Sequence, residues 1–122
     1  MIFQHTLPQL LSGEKTQTRR VVKKGDEADY DGERIAAVRK GGRMQWQVGK
    51  DYSVQPHRNA RAVARIRMLA IRREKVGDIS PEDVVKEGFD TREAFLETFA
   101  HINNDPDLTS EVWVLEFESV ES

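Results

Sequence analysis

Apolar and polar positions alternate most regularly in the second half of the chain. Ala62, Ala64, Ile66, Met68 and Ala70 recur every second residue with Arg65 and Arg67 between them, which predicts a long strand with one apolar face. Val112 to Val120 (VWVLEFESV) predicts a closing strand. Shorter patterns come earlier. Ile2-Phe3-Gln4 reads as an opening strand, and Trp46-Gln47-Val48 and Tyr52-Ser53-Val54-Gln55 flank a turn at Gly49-Lys50-Asp51. Thr16, Thr18 and Arg20 alternate with Gln17 and Arg19, a strand with β-branched residues on one face.

Helix signals fall between these strands. Thr6 is placed to cap a short helix through Leu7, Leu10 and Leu11, which Gly13 stops. Ser80-Pro81-Glu82-Asp83 offers a cap, a proline at the first position and acids in the first turn, and Gly88 ends that helix. Thr91 caps another, with Phe95, Phe99 and Ile102 at helical spacing. From Val21 to Gly42 the chain is polar and rich in Gly and Asp, so a long mobile loop is expected there, with a turn of helix near Arg34–Val38. Strands at both ends with short helices between them predict an α+β fold, a small mixed barrel rather than a doubly wound sheet.

Composition narrows the picture. The 122 residues suit one domain, spanning 1–122, with one modest core. There is no cysteine, hence no disulfide and no thiolate zinc site. No apolar run approaches the roughly 20 residues of a membrane helix, and MIFQHTLPQL lacks a signal-peptide pattern, so no membrane contact and a cytoplasmic location are expected. The net charge of −2 hides an asymmetry: residues 1–75 carry 17 Lys/Arg against 8 Asp/Glu, and residues 76–122 carry 2 against 13. A basic half attracts phosphates, or the two halves neutralise each other in the folded chain.

Candidate chemistry concentrates in Gly13-Glu14-Lys15-Thr16-Gln17-Thr18-Arg19-Arg20. Thr18 and Arg20, two apart, share a strand face. Lys15 joins them if it lies in the turn before the strand, which the Gly13 stop permits. A buried lysine near Arg20 loses its proton more easily, and a neutral lysine beside a hydroxyl is a base–nucleophile pair. The alternative is a solvated Lys/Arg strand edge. Glu87 falls in the last turn of the helix begun at Pro81, where the macrodipole disfavours a negative charge, a setting that suits a carboxyl handling a proton. Trp46, Tyr52 and Trp113 are able to stack on a base, although core packing is the commoner role, above all for Trp113. His5, His57 and His101 lack metal-ligand spacing, and no phosphate loop or zinc-deaminase signature occurs.

The Gly13–Arg20 segment resembles the ASCH signature of the PUA-like superfamily, G-x-K-x-x-E-x-R. Gly13, Lys15 and Arg20 match it, and Thr18 stands where much of the superfamily has glutamate. In that departure the segment is similar to LxGxKTxTxR of the small bacterial N4-acetylcytidine amidohydrolases. Phe3-Gln4 lies at the matching distance upstream. ISPEDVVKEGFDTREAF (79–95) resembles that family's two-helix segment, and VWVLEF (112–117) its closing strand. The stretch from Val21 to Gly42 has no counterpart.

The resemblance implies a PUA-like barrel. It implies a catalytic set of Lys15, Thr18 and Glu87, with neither metal nor cofactor. Gln4 and Arg20 are assigned to substrate binding, as are Gln55 and Arg58, a polar amide and a guanidinium after a strand that either line the pocket mouth or form an ordinary loop. It further implies removal of the acyl group from N4-acetylcytidine or a related N4-acylated cytosine, by a monomer or dimer. The alternative from another class is an RNA-binding or RNA-processing module, in which Lys15, Arg20 and the basic half grip phosphates.

Overall fold

The computed structural model describes residues 1–104 and 107–120. Helix α1 (Leu7–Leu11) precedes strand β1 (Gln17–Val21). Strands β2 (Asp26–Asp31), β3 (Arg34–Lys40), β4 (Arg43–Gln47), β5 (Asp51–Val54) and β6 (Ala64–Lys75) follow. A 3-10 turn, helices α2 (Pro81–Lys86) and α3 (Arg92–Asn103), and strand β7 (Glu111–Ser119) complete the chain. The strands form one antiparallel sheet of order β1-β7-β6-β3-β2, with β4 on β3 and β5 on β6. The architecture is α+β, as the pattern predicts. Among the described residues β1 and β2 end the sheet without pairing to each other, so the barrel-like roll stays open.

Several expectations need correction. The stretch from Val21 to Gly42 is no loop: it holds β2 and β3, paired from Asp26↔Lys40 to Asp31↔Arg34. Arg34–Val38 is strand, because Ile35 and Val38 pack into the core with Trp46, Ile71 and Trp113. The turns make this possible. Gly32 (φ +65°) opens a two-residue connection to β3, and Gly41 and Gly42 (φ +58° and +82°) form the next one, a geometry that matches strand twist. The expected opening strand reduces to a parallel bridge, Ile2↔Gln55. Thr6 makes no side-chain capping bond, its backbone being outside the extended cap conformation. Ser80 and Thr91 do cap, accepting from the amides of Asp83 and Ala94.

The alternation of β6 also breaks once. Met68 pairs with Phe117 and Ala70 with Glu116, leaving Leu69 as the extra residue of a bulge. Ile66 and Met68 point inward before it and Ile71 after it, so the apolar face changes phase at Leu69. Below the β1–β7 end of the sheet, α2 and α3 pack Val84, Phe95 and Phe99 against Val112 and Val114. That layer covers the sheet face bearing Gln17 and Arg19.

Candidate active site

The free edge of β1 borders the principal cavity, of about 340 Å³. Helix α1 ends at Gly13 (φ +85°), and the turn that follows aims Lys15 inward before β1 begins at Gln17. Lys15, Thr18 and Arg20 thus line one cavity despite the odd Lys15–Thr18 spacing, because Lys15 precedes the strand. From the other side comes Glu87, the C-terminal cap of α2, which Gly88 (φ +92°) stops. The glycine allows a close approach: a Cβ at Gly88 would sit 3.0 Å from the Gln9 Cβ and 3.5 Å from the Lys15 Cβ.

Lys15 and Glu87 meet directly. Lys15 Nζ lies 3.0 Å from Glu87 Oε1 and donates to the Glu87 carbonyl at 2.8 Å, and both side chains are only 3% exposed. Burial pushes the Lys15 ammonium below the ordinary lysine range, aided by Arg20 and Arg19 and opposed by the charge and hydrogen bond of Glu87. The Phe3 ring lies 5.1 Å from the Arg20 guanidinium and 6.0 Å from Lys15 Nζ. Arg20 also donates to the Ile2 carbonyl at 2.9 Å. The Thr18 side chain is buried and makes no hydrogen bond among the described residues.

Behind the pair stands a residue that reads as an ordinary strand position in the sequence. The Arg19 side chain is 0% exposed and binds Glu87 Oε2 at 2.9 Å, Asp83 at 2.9 Å and Glu74 at 2.5 Å. Its fourth partner is the Gln17 side-chain oxygen Oε1, which accepts at 2.9 Å. Although burial works against it, Glu87 and Glu74 raise the Arg19 pKa. Arg72 extends the network, bonding Asp83 and, at 3.0 Å, Glu116. Arg19 therefore holds Glu87 from behind while Lys15 faces the cavity. In the sequence only α2 and α3, which cover this face, hint at its burial.

The remaining candidates divide. Gln4 is exposed but lines the cavity. Gln55 and Arg58 do not line it. The Gln55 amide turns inward to the Ala60 carbonyl at 2.8 Å, its backbone is tied to Met1 and Phe3, and Arg58 is exposed. Trp46 reaches the cavity wall with Phe89 and Phe99, whereas Trp113 is fully buried in the core. His5 and His101 meet edge to face at 6.2 Å. Part of the charge asymmetry is neutralised within the fold: Lys15–Glu87, Arg19–Asp83, Arg72–Glu116 and Arg73–Glu111 all join the basic half to the acidic one.

Two solved structures superpose on nearly the whole chain. One is an ASCH domain from Lactobacillus crispatus JV V101, with a TM-score of 0.62 and 14% identity, covering 93% of this chain and 69% of that one. The chain has the fold of an ASCH domain. The other is a protein from Enterococcus faecalis V583 described by the family model DUF984, with a TM-score of 0.62 and 18% identity, covering 93% of this chain and 68% of that one. No protein-family model and no curated protein matches the sequence. The ASCH-domain fold accounts for strands at both ends of the chain. At these identities the side chains of the site stand on their own geometry.

Proposed function

We propose that this ASCH-fold chain is an amidohydrolase that removes the acyl group from an N4-acylated cytosine nucleoside. The observation that carries the reading is the buried Lys15–Glu87 pair on the wall of a cavity that Thr18 shares. A volume of about 340 Å³ lies in the small-molecule range of roughly 300–1,000 Å³. Phe89, Phe99 and Trp46 supply flat apolar wall for a pyrimidine.

In the proposed reaction Lys15, neutral once its proton has passed to solvent or to Glu87, removes a proton from the attacking oxygen. That oxygen is the Thr18 hydroxyl or a water held against it. It attacks the amide carbonyl, and the Arg20 guanidinium steadies the oxyanion. The C–N bond breaks as the proton returns from the Lys15–Glu87 pair to the departing exocyclic nitrogen. Water supplies the remaining atoms, leaving a carboxylic acid and cytidine. Glu87 lies in direct contact with Lys15, so the two act as one proton-handling unit. Arg19, on the far carboxylate oxygen, fixes that unit in place.

A second reading, an RNA-binding or RNA-processing module, draws on Arg20, Lys23 and Lys40 along the same cavity. Salt separates the two. The test measures cytidine release from N4-acetylcytidine and affinity for a short single-stranded RNA, each at low and high ionic strength. The amidohydrolase reading predicts turnover nearly independent of salt. Absent turnover with RNA affinity falling steeply in salt would replace it with the second reading.

A further inference from the structure

The segment for which the sequence offers no family counterpart, from Val21 to Gly42, contributes two cations to the cavity wall, Lys23 and Lys40. Backbone bonds bring them together. Lys23 opens a tight turn that Asp26 closes: the Asp26 amide donates to the Lys23 carbonyl at 3.0 Å, and the Lys23 amide donates to Asp26 Oδ2 at 2.9 Å. Asp26 stands directly opposite Lys40 in the β2–β3 register, and the Gly41 amide reaches the Gly25 carbonyl at 3.2 Å. Residues paired in this way share a face, with Cβ atoms about 4.5–5.5 Å apart, so Lys40 stands beside the Lys23 turn.

Both lysines are exposed, and neither forms an ion pair among the described residues. Most other charges on the wall are already neutralised. Lys15 pairs with Glu87, and Arg19 is held by Glu74 and Asp83 from behind. Arg20, Lys23 and Lys40 then face the cavity against the Asp26 carboxylate, a surplus of two positive charges. Asp26 is turned away from an incoming anion: its Oδ2 accepts from Trp113 Nε1–H at 3.0 Å and from the Lys23 amide, and its Oδ1 is buried. A cleft with apolar walls and one sign of charge concentrates its field on a ligand of the opposite sign. A phosphate monoester, with a charge of about −1.5 to −2 near neutral pH, matches that surplus, whereas a backbone phosphodiester carries only about one charge.

The lysines also stand at the right end of the cavity. Lys23 follows Thr18 through the rest of β1 and out of the strand, a separation of at most about 17 Å. There is room beyond it, because Lys23 also lines a second hollow of about 260 Å³ that adjoins the first along Val21, Phe99 and Ile102. N4 and N1 lie at opposite ends of a cytosine ring. A base whose N4-acyl group meets Thr18 therefore points its sugar, and any phosphate on it, away from Thr18 and towards the lysines. We infer that Lys23 and Lys40 form a phosphate subsite, making the preferred ligand a cytosine nucleoside monophosphate rather than the uncharged nucleoside or a phosphodiester. The inference rests on the amidohydrolase reading for the identity and orientation of the base.

The test is binding, which requires no turnover. NMR titration at low salt compares cytidine, its 5′- and 3′-monophosphates, and the methyl ester of the 5′-monophosphate, which is a phosphodiester. At least one monophosphate is expected to bind at least about tenfold tighter than cytidine, the value of one charge-assisted hydrogen bond, with the ester in between. The double variant Lys23→Gln/Lys40→Gln should shrink that preference to below about threefold, and raised salt should weaken it. Both side chains are exposed, so the variant is expected to fold, and Lys50→Gln, an exposed lysine off the cavity, should keep the preference. No binding of any ligand, monophosphates no tighter than cytidine, or a preference that survives the double variant would overturn the subsite. An ester bound as tightly as the monophosphate would also overturn it, in favour of a surface for RNA phosphodiesters. Monophosphate preference without hydrolysis of N4-acetylcytidine would leave the subsite standing and sink only the amidohydrolase reading.

Discussion

Replacing Arg19 by methionine tests whether the proton-handling pair rests on a buried ionic scaffold. The substitution keeps much of the side-chain volume and removes the charge. Three carboxylates, Glu74, Asp83 and Glu87, then lose a cation whose side chain is 0% exposed. Breaking a buried pair from one side costs about 3–5 kcal/mol. Each carboxylate keeps one cationic partner, Arg72 for Glu74 and Asp83 and Lys15 for Glu87, which favours the lower end, about 3 kcal/mol. For a chain of this length that lowers Tm by roughly 10 °C. Arg67→Met is the control: Arg67 bridges Asp51 on the solvated surface, so its loss should leave Tm nearly unchanged.

Acid adds a second signature. Burial works upward on the Asp83 carboxyl, but the hydrogen bonds and charges of Arg19 and Arg72 hold it below the usual carboxylate range. A carboxyl depressed in the folded state stabilises the fold above its unfolded value of about 3.9, and this contribution fades as pH falls through the folded value. The wild type therefore loses more on acidification than Arg19→Met, and the gap between them narrows. Urea denaturation at pH 7 and near pH 3 measures it. A deficit for Arg19→Met no larger than that of Arg67→Met, or one equally large at both pH values, would refute the reasoning.

Three further outcomes follow from the same geometry. Thr18→Ser should retain part of the turnover of N4-acetylcytidine and Thr18→Val should lose roughly 10²–10⁴-fold; a valine variant faster than the serine one would remove the hydroxyl from the mechanism. Gly88→Ala forces a side chain to φ +92° and its Cβ to 3.0 Å from Gln9, so it should cost at least about 1–2 kcal/mol and disturb Lys15 as well, measured as a drop in both Tm and kcat. The pH profile of kcat should rise through a midpoint below the ordinary lysine value of about 10.4, because burial lowers the Lys15 pKa. In Glu87→Gln, which removes the charge that raises it, residual activity should rise at still lower pH; a midpoint that moves upward contradicts the pairing.

Much of this architecture is legible in the sequence where one residue decides a local outcome. Ser80 and Thr91 cap as read, Gly13 and Gly88 stop helices, and the Gly13 stop accounts for Lys15 and Thr18 sharing a cavity despite their odd spacing. The β2–β3 hairpin escapes because β2, Asp-Glu-Ala-Asp-Tyr-Asp, has no apolar face and is strand only through its pairing with β3. Gly32 in its turn, and Gly41 and Gly42 in the turn from β3 to β4, are the signals that point to hairpins. Arg19 escapes for a different reason. A strand arginine beside Arg20 reads as solvated until the third dimension lays α2 and α3 over it and gathers Glu74, Asp83 and Glu87 around it from distant elements. Gln45 reaches the cavity wall at a bulge, which no alternation pattern announces. Gln55 is a polar residue after a strand, and its amide is spent on the Ala60 carbonyl within its own turn.

Turnover of N4-acetylcytidine by the wild type and by Lys15→Ala, followed chromatographically as cytidine release, tests the central claim most directly. Circular dichroism and Tm establish that the variant is folded, Glu87 keeping Arg19 as its partner. The account predicts cytidine release by the wild type and a loss of at least about 100-fold in Lys15→Ala, the scale of a missing acid–base group. A wild type that releases no cytidine, or a folded Lys15→Ala variant that releases it as fast, would contradict it.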